Sequence, residues 1–235
     1  MSGCRVVEVT AERGLDDPPE IPWHLTGPPG AVRLQLRSTL RRVAVGAGLA
    51  RDQSLLASVR AITGLPGPVT SPAGGTFIVG GPGWLGLCAI GVPPVDRPMP
   101  LDWMMGELRE WFAERLGSLG LPISTGRIDG AWCPGFSDIA VGGRKLAGLG
   151  FRVTRDRVVM RGVMAVEPIT PADVDLLTAC HRLIGVAVDP GAATSLVECT
   201  GDASWTVARA IEHLRAPAPE PAVVSTADAQ PAAEP

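Results

Sequence analysis

An uncharged, glycine-rich stretch at residues 73–92 narrows the folds open to this chain more than any other segment. It reads AGGTFIVGGPGWLGLCAIGV and has about the 20-residue length of a membrane-spanning helix. However, seven glycines and Pro82 interrupt it. Because such residues mark turns and close backbone approaches, we predict a buried strand, a glycine-rich loop and a second buried strand. No membrane span is expected.

Hydrophobic periodicity predicts helices on both sides of this stretch. The clearest covers residues 101–119, where apolar side chains recur on one face and Glu and Arg lie largely opposite. Three more are predicted at residues 52–64, 169–185 and 202–215, the first two with Asp52 and Thr170 as N-caps. Strands are predicted at residues 31–48, 127–133, 137–154 and 157–166. Together these elements indicate an α+β fold.

Composition divides the chain into three parts. Residues 1–30 are rich in Pro, Gly and acidic residues, and we expect an N-terminal arm that packs only partly. Residues 31–215 have a suitable length for one domain. Residues 216–235 are rich in Ala and Pro and almost lack large apolar side chains, so we expect a disordered tail.

Charge and cysteine usage argue against several classes of protein. A net charge of −3 and a pI near 5.6 argue against nucleic-acid binding. Five scattered cysteines without a CxxC pair predict no zinc or other metal site. Their odd number and the charged N-terminal segment lead us to expect a cytoplasmic protein. Three scattered histidines and the absence of a GxSxG sequence argue against zinc and serine hydrolases.

Lys145 is the strongest candidate for a functional residue. The chain has 20 arginines and this single lysine. A lysine retained in such a composition indicates a need for a compact ammonium that guanidinium cannot replace; chance is the alternative. Lys145 follows Gly142 and Gly143, which predict a tight hairpin turn. Strand alternation would then put Lys145 and Ala147 on one face.

Two further features have weaker chemical interpretations. The glycines at 74–75 and 80–83 could offer backbone N–H groups to an anion, although structural turns would explain them equally well. Cys180, taken alone, is typical of a small buried hydrophobic residue. It cannot pair with His181, because adjacent residues on a helix do not face one another.

These residues together resemble the biotin/lipoate protein ligase superfamily, in its lipoate–protein ligase and octanoyltransferase branch. The resemblance covers roughly residues 35–200. The segment AGGTFIVGGPG stands where that family wraps an acyl chain. The segment SDIAVGGRKLAG carries Asp138 and Lys145 at the family's Asp and Lys positions.

The resemblance implies a catalytic domain similar to class II tRNA synthetases, with a mixed central β-sheet and flanking helices. Lys145 would contact the acyl carbonyl or an adenylate phosphate, and Asp138 would help to place a nucleotide or its metal. Substrate-binding positions implied by the match are Gly74, Gly75, Thr76, Gly81, Gly83, Asp138, Arg144 and Gly148.

Three activities remain open within this resemblance. A lipoate–protein ligase would use ATP and Mg to attach lipoate or another medium-chain acid, through an acyl-adenylate, to a lysine of a lipoyl-domain carrier. An octanoyltransferase would need no cofactor and would pair Lys145 with a thiol, which the match puts at Cys180. A non-catalytic relative would only bind the acyl group or the carrier. Ala73, Gly80 and Arg161 replace an arginine and two histidines common in the family, and Cys180 lacks the usual Pro-Cys-Gly context.

Overall fold

The structure, a computed structural model, describes residues 6–12, 27–65, 68–71, 74–96 and 99–216. The helices are α1 (Gln53–Thr63), α2 (Pro100–Gly117), α3 (Pro171–Arg182), α4 (Leu196–Thr200) and α5 (Val207–Arg215). The strands are β1 (Val6–Glu12), β2 (Val32–Ser38), β3 (Arg42–Gly46), β4 (Val69–Ser71), β5 (Phe77–Gly80), β6 (Trp84–Gly91), β7 (Ile123–Thr125), β8 (Ile139–Val141), β9 (Arg144–Val153) and β10 (Val158–Ala165).

A seven-stranded sheet in the order β1-β2-β6-β10-β9-β8-β7 forms the centre of the fold. The pair β1–β2 is parallel and the other neighbouring pairs are antiparallel. Every residue of β6 is buried, which agrees with the continuous apolar run that predicted this strand. The predicted mixed sheet is therefore observed. No helix in the described parts of the chain is long and apolar enough to cross a membrane.

A smaller sheet in the order β4-β3-β5 builds a second core. The first core joins apolar side chains of the large sheet to α2 and α5. The second core joins β3 and β5 to α1 and α3 and contains Trp84, Trp132 and Cys180. The predicted strand–loop–strand of residues 73–92 thus spans both sheets, because β5 belongs to one and β6 to the other.

The helix caps follow the predicted chemistry. The Asp52 carboxylate accepts hydrogen bonds from the N–H groups of Ser54 and Leu55 at the start of α1. Thr170 and Asp173 form a capping box at the start of α3. Both caps satisfy N–H groups that the first helical turn leaves without partners.

Three sequence predictions need correction. The strand-like stretch at residues 31–48 forms two strands, β2 and β3, because the chain passes from the large sheet to the small one between them. Residues 127–133 form a loop, because the backbone turns at Gly130 (φ 78°) and Cys133 (φ 45°) and cannot stay extended. The final helix begins at Val207, and not at residue 202, since Asp202 caps a turn at Ser204. Within the predicted arm, Val6–Glu12 is strand β1. The predicted tail, apart from Ala216, lies outside the described residues.

Candidate functional site

The Lys145 ammonium lies inside the protein near the start of β9, with 1% of its side chain exposed. The turn before it holds Gly142 and Gly143 at φ 58° and 75°, which confirms the predicted hairpin. Its Nζ donates to the carbonyl oxygens of Trp132 (2.9 Å) and Cys133 (2.8 Å). The Asp138 carboxylate, 2.9 Å away, is the third acceptor. The three N–H groups of the ammonium therefore have three oxygen partners.

The Asp138 carboxylate balances the charge of Lys145 and belongs to the same loop as Trp132 and Cys133. Its carboxylate is 1% exposed and also accepts a hydrogen bond from the Gly135 N–H at 2.9 Å. Burial raises the pKa of Asp138, while the positive charge of Lys145 and the Gly135 N–H oppose that rise. Lys145 and Asp138 thus fasten residues 132–138 to the sheet by an ion pair shielded from water.

A register shift changes the side-chain alternation along β9. Ala140 of β8 pairs with Lys145, whereas the preceding Ile139 pairs with Ala147. Ala147 therefore joins the first apolar core, and the predicted common face of Lys145 and Ala147 is wrong. Gly148 approaches the lysine instead, since a Cβ there would lie 2.9 Å from Lys145 Cε. The lysine side chain occupies space that only a glycine leaves open.

Cys133 brings a thiol to the same place. It is partly exposed and its backbone has φ 45°, the only positive φ at a non-glycine among the described residues. Its Sγ accepts a hydrogen bond from the Thr76 N–H at 3.1 Å. Gly75 has φ 111°, and a Cβ at that position would come within 2.6 Å of Sγ. Gly75 thus allows the segment that precedes β5 to approach the cysteine closely.

His181 of α3 contacts both the segment that carries Cys133 and the segment that carries Thr76. Its Nε2 lies 3.1 Å from the Cys133 N–H nitrogen and 2.9 Å from the Thr76 hydroxyl. Its Nδ1 lies 2.8 Å from the Leu177 carbonyl oxygen. Since a carbonyl only accepts and a backbone N–H only donates, the ring must carry its proton on Nδ1 and accept at Nε2. Burial lowers the pKa of His181, the Leu177 hydrogen bond opposes this, and the charge of Lys145 adds to it.

A cavity of about 260 Å³ opens beside these groups. Cys133 and Lys145 meet it together with the small residues Gly74, Gly75 and Gly148. Its apolar walls come from Ile78, Leu101, Met105, Leu149, Phe151 and Val163. The cavity therefore brings a cysteine and a buried cation beside apolar walls, which suits an acyl chain with a reactive carbonyl.

The structure brings together some of the residues predicted for the site. Around the cavity or its hydrogen-bond network are Gly74, Gly75, Thr76, Asp138, Lys145 and Gly148. Gly81 and Gly83 instead shape the turn between β5 and β6, where the Gly83 carbonyl accepts from Val166 and Glu167. Arg144 points away and contacts Glu198 and the Gly191 carbonyl. These three do not line the cavity.

Cys180 also lies apart from the cavity. Its side chain is fully buried in the second core, among residues such as Leu56, Phe77 and Leu177. Burial raises the pKa of its thiol to about 11, whereas an activated nucleophile needs a lowered one. The geometry gives no support to the predicted pairing of Lys145 with Cys180.

Sequence reasoning missed Cys133 and His181. Cys133 is followed by Pro134 and Gly135, and it precedes the unique lysine by 12 positions. A cysteine on a Pro- and Gly-containing turn, close in sequence to the unique lysine, was the signal that could have identified this residue. His181 carried no comparable signal, because its partners are 48 and 105 residues away along the chain.

Fold and site together define an α+β domain with a largely apolar cavity beside a buried lysine. The chain belongs to the lipoyl protein ligase A/B catalytic domain family, whose family model matches residues 67–215. The members of this family are lipoate–protein ligases and octanoyltransferases.

A curated relative is the octanoyl-[GcvH]:protein N-octanoyltransferase of Geobacillus kaustophilus, 27% identical over 115 residues. The match covers 49% of this chain but only 40% of that relative. Among solved structures, protein Ta0514 of T. acidophilum, a candidate lipoate protein ligase, aligns with a TM-score of 0.55 at 18% identity. That alignment covers 78% of this chain and 69% of the other.

Lipoate-protein ligase A bound with ATP gives the same TM-score, 0.55 at 18% identity, over 78% of this chain and 70% of that one. At such identity both likenesses concern the fold alone. They confirm the predicted α+β fold of this superfamily.

Proposed function

We propose that the protein is an acyltransferase that moves an octanoyl or lipoyl group from an acylated donor to a lysine of a lipoyl-domain carrier, through a thioester on Cys133. The observation that carries this proposal is the position of Cys133. This residue lines the cavity and belongs to the loop whose carbonyls accept hydrogen bonds from Lys145. Its relative from Geobacillus, by its name, transfers octanoyl groups between proteins.

The proposed transfer takes place in two steps, acylation of Cys133 and transfer to the acceptor lysine. In the first, Cys133 Sγ attacks the acyl carbonyl carbon and a carbon–sulfur bond forms. The bond to the donor's nitrogen or sulfur breaks, and that leaving group takes up the proton that the thiol has lost. In the second, the acceptor lysine's amine attacks the thioester carbon. An amide forms, the carbon–sulfur bond breaks, and the amine's surplus proton returns the thiol.

Lys145 stabilises the negative charge that develops on the carbonyl oxygen in both steps. In the structure its three N–H groups already bind Trp132, Cys133 and Asp138. A substrate carbonyl must therefore replace one of these acceptors. Losing the hydrogen bond to a neutral carbonyl of Trp132 or Cys133 costs less free energy than losing the one to the Asp138 carboxylate. The apolar walls near Leu101 and Phe151 hold the chain and exclude water from the thioester.

The residues around the cavity fit this transfer better than an ATP-dependent ligation. A bound ATP–Mg complex is usually held by one or two free carboxylates together with the phosphates, and cations balance the phosphate charge. Lys145 is the one cationic side chain among the residues that line the cavity, and Asp138 already balances its charge. Within the described parts of the chain no cluster of three His, Cys, Asp or Glu residues could hold a metal. We therefore derive no step through ATP or Mg.

Intact-mass measurements test the proposal. The protein is incubated with an octanoylated carrier domain and, separately, with lipoate plus ATP. We expect an octanoyl adduct with the first donor, located on Cys133 by peptide mapping. The Cys133→Ser variant should lose transfer by at least about 100-fold, whereas Cys180→Ser, the matched control, should transfer normally.

Other outcomes would assign the protein differently. Release of pyrophosphate with lipoate and ATP, undiminished in Cys133→Ser, would make it a ligase. An adduct that Cys180→Ser abolishes would return the nucleophile to Cys180. Tight binding of the octanoylated carrier without any adduct or product would make it a non-catalytic binding protein.

A further inference from the structure

A buried histidine outside the cavity lining holds together the two segments that form the reactive end of the site. His181 is 0% exposed and does not line the cavity. Through Nε2 it contacts Cys133 on one segment and Thr76 on the other, and through Nδ1 it is anchored to Leu177 within α3. Phe77 packs against the ring edge-on, with centroids 5.4 Å apart.

We infer that His181 is a positioning residue for acyl transfer. It acts through Nε2, which accepts hydrogen bonds from both the Cys133 N–H and the Thr76 hydroxyl. This inference rests on the proposed role of Cys133. The cysteine needs such support because its backbone has a positive φ, which is unfavourable for a residue with a side chain. The Cys133 N–H donates to Nε2 at 3.1 Å, which helps to hold the residue in that conformation.

His181 Nε2 also orients Thr76, which lies on the other of the two segments. Thr76 directs its hydroxyl to Nε2 and its backbone N–H to Cys133 Sγ at 3.1 Å. His181, Thr76 and Cys133 thus form a closed set of hydrogen bonds around the thiol. Losing the acceptor would free Cys133 to leave its strained conformation and would move the sulfur relative to Lys145. Displacements on the order of 1 Å cost about 100-fold in rate.

Two substitutions separate the roles of the two ring nitrogens. The Gln side chain in His181→Gln can put its amide oxygen near the position of Nε2, whereas the shorter Asn side chain in His181→Asn reaches only the position of Nδ1. Asn can therefore keep the Leu177 hydrogen bond but cannot accept from Cys133 and Thr76. His213→Ala is the matched control, because His213 also binds a backbone carbonyl, that of Arg115, at 2.9 Å, but lies on α5.

The experiment measures transfer kinetics, the rate of iodoacetamide alkylation at Cys133 by peptide mapping, and the melting temperature of each variant. We expect His181→Asn to lower kcat about 10- to 100-fold with KM for the acylated carrier changed less than about 3-fold. Its Cys133 alkylation rate should also change, and His181→Gln should recover most of both properties. His213→Ala should leave both unchanged even if its melting temperature falls.

A folded His181→Asn variant with parental kcat and alkylation rate would overturn the inference. So would equal losses in the Gln and Asn variants. If His181→Asn does not fold, Thr76→Val removes one of the two donors to Nε2, and the inference then requires a changed alkylation rate at Cys133. The alkylation readout needs no turnover. If the parent protein forms no acyl adduct, the proposed function fails, whereas the effect of His181 on Cys133 is still decided.

Discussion

Replacing Lys145 by methionine should destabilise the fold strongly, beyond any loss of activity. The substitution keeps most of the side-chain volume and removes the ammonium. It leaves the Asp138 carboxylate and the carbonyls of Trp132 and Cys133 without their buried donor. Breaking a buried ion pair by removing one partner costs about 3–5 kcal/mol. With both side chains 1% exposed, solvent cannot compensate for this loss.

The Asp138→Asn substitution should reverse part of that loss. It removes the charge that the first substitution leaves uncompensated, so the two effects should not add. We expect a coupling energy of about 2–3 kcal/mol in the double-mutant cycle. Urea denaturation followed by tryptophan fluorescence measures each free energy of unfolding. The control is Arg144→Met on the neighbouring residue. Its ion pair with Glu198 has side chains 45% and 41% exposed, so it should contribute under about 1 kcal/mol.

The pH dependence adds a second check. Burial raises the pKa of Asp138 and Lys145 opposes the rise, so Lys145→Met should raise that pKa further. A group whose pKa is higher in the folded state contributes stability below its unfolded pKa, near 3.8, and loses it as pH rises through the folded value. The difference between Lys145→Met and the parent should therefore shrink as pH falls from 7 towards 4. Additive effects, or a loss independent of pH, would refute the buried ion pair.

Two further predictions concern Gly148 and His181. Gly148→Ala should lower transfer about 10-fold or more while the protein stays folded, because its Cβ would lie 2.9 Å from Lys145 Cε; parental kinetics would contradict this. Because burial lowers the pKa of His181 below 6.5, the free energy of unfolding should fall as pH drops below about 6.5, where only the unfolded chain readily takes up the proton. Denaturation at several pH values checks this, and His181→Gln should show a weaker dependence.

Local chemistry accounts for the features that the sequence predicted correctly. Asp52 and Thr170 cap their helices because their side chains need to reach only two or three residues along the chain. The Gly142-Gly143 turn follows from the left-handed conformations that glycine tolerates. The buried strand β6 follows from an apolar run without charge. Each of these signals lies within a short segment, so no knowledge of the fold is needed.

The residues of the candidate site were predicted less completely. Lys145 stood out by its uniqueness and Asp138 by the family resemblance, but the ion pair between them was not predicted. The resemblance then put the thiol at Cys180, but that residue lies in an apolar core and Cys133 occupies the cavity. A register shift of one residue in β9 moved Ala147 away from the face of Lys145. Neither the loop at residues 127–133 nor this shift has a periodic signal.

The sequence by itself determined most of the secondary structure and the family, and it singled out one lysine as a candidate. These depend on propensity, capping and residue identity, which act between near neighbours along the chain. Only the tertiary structure decided which cysteine meets the lysine and what supports it. His181 reaches partners 48 and 105 residues away, and such contacts arise from the packing of α3 against the small sheet. A pattern along the chain does not contain the distances between residues in space, because the packing of the folded chain sets them.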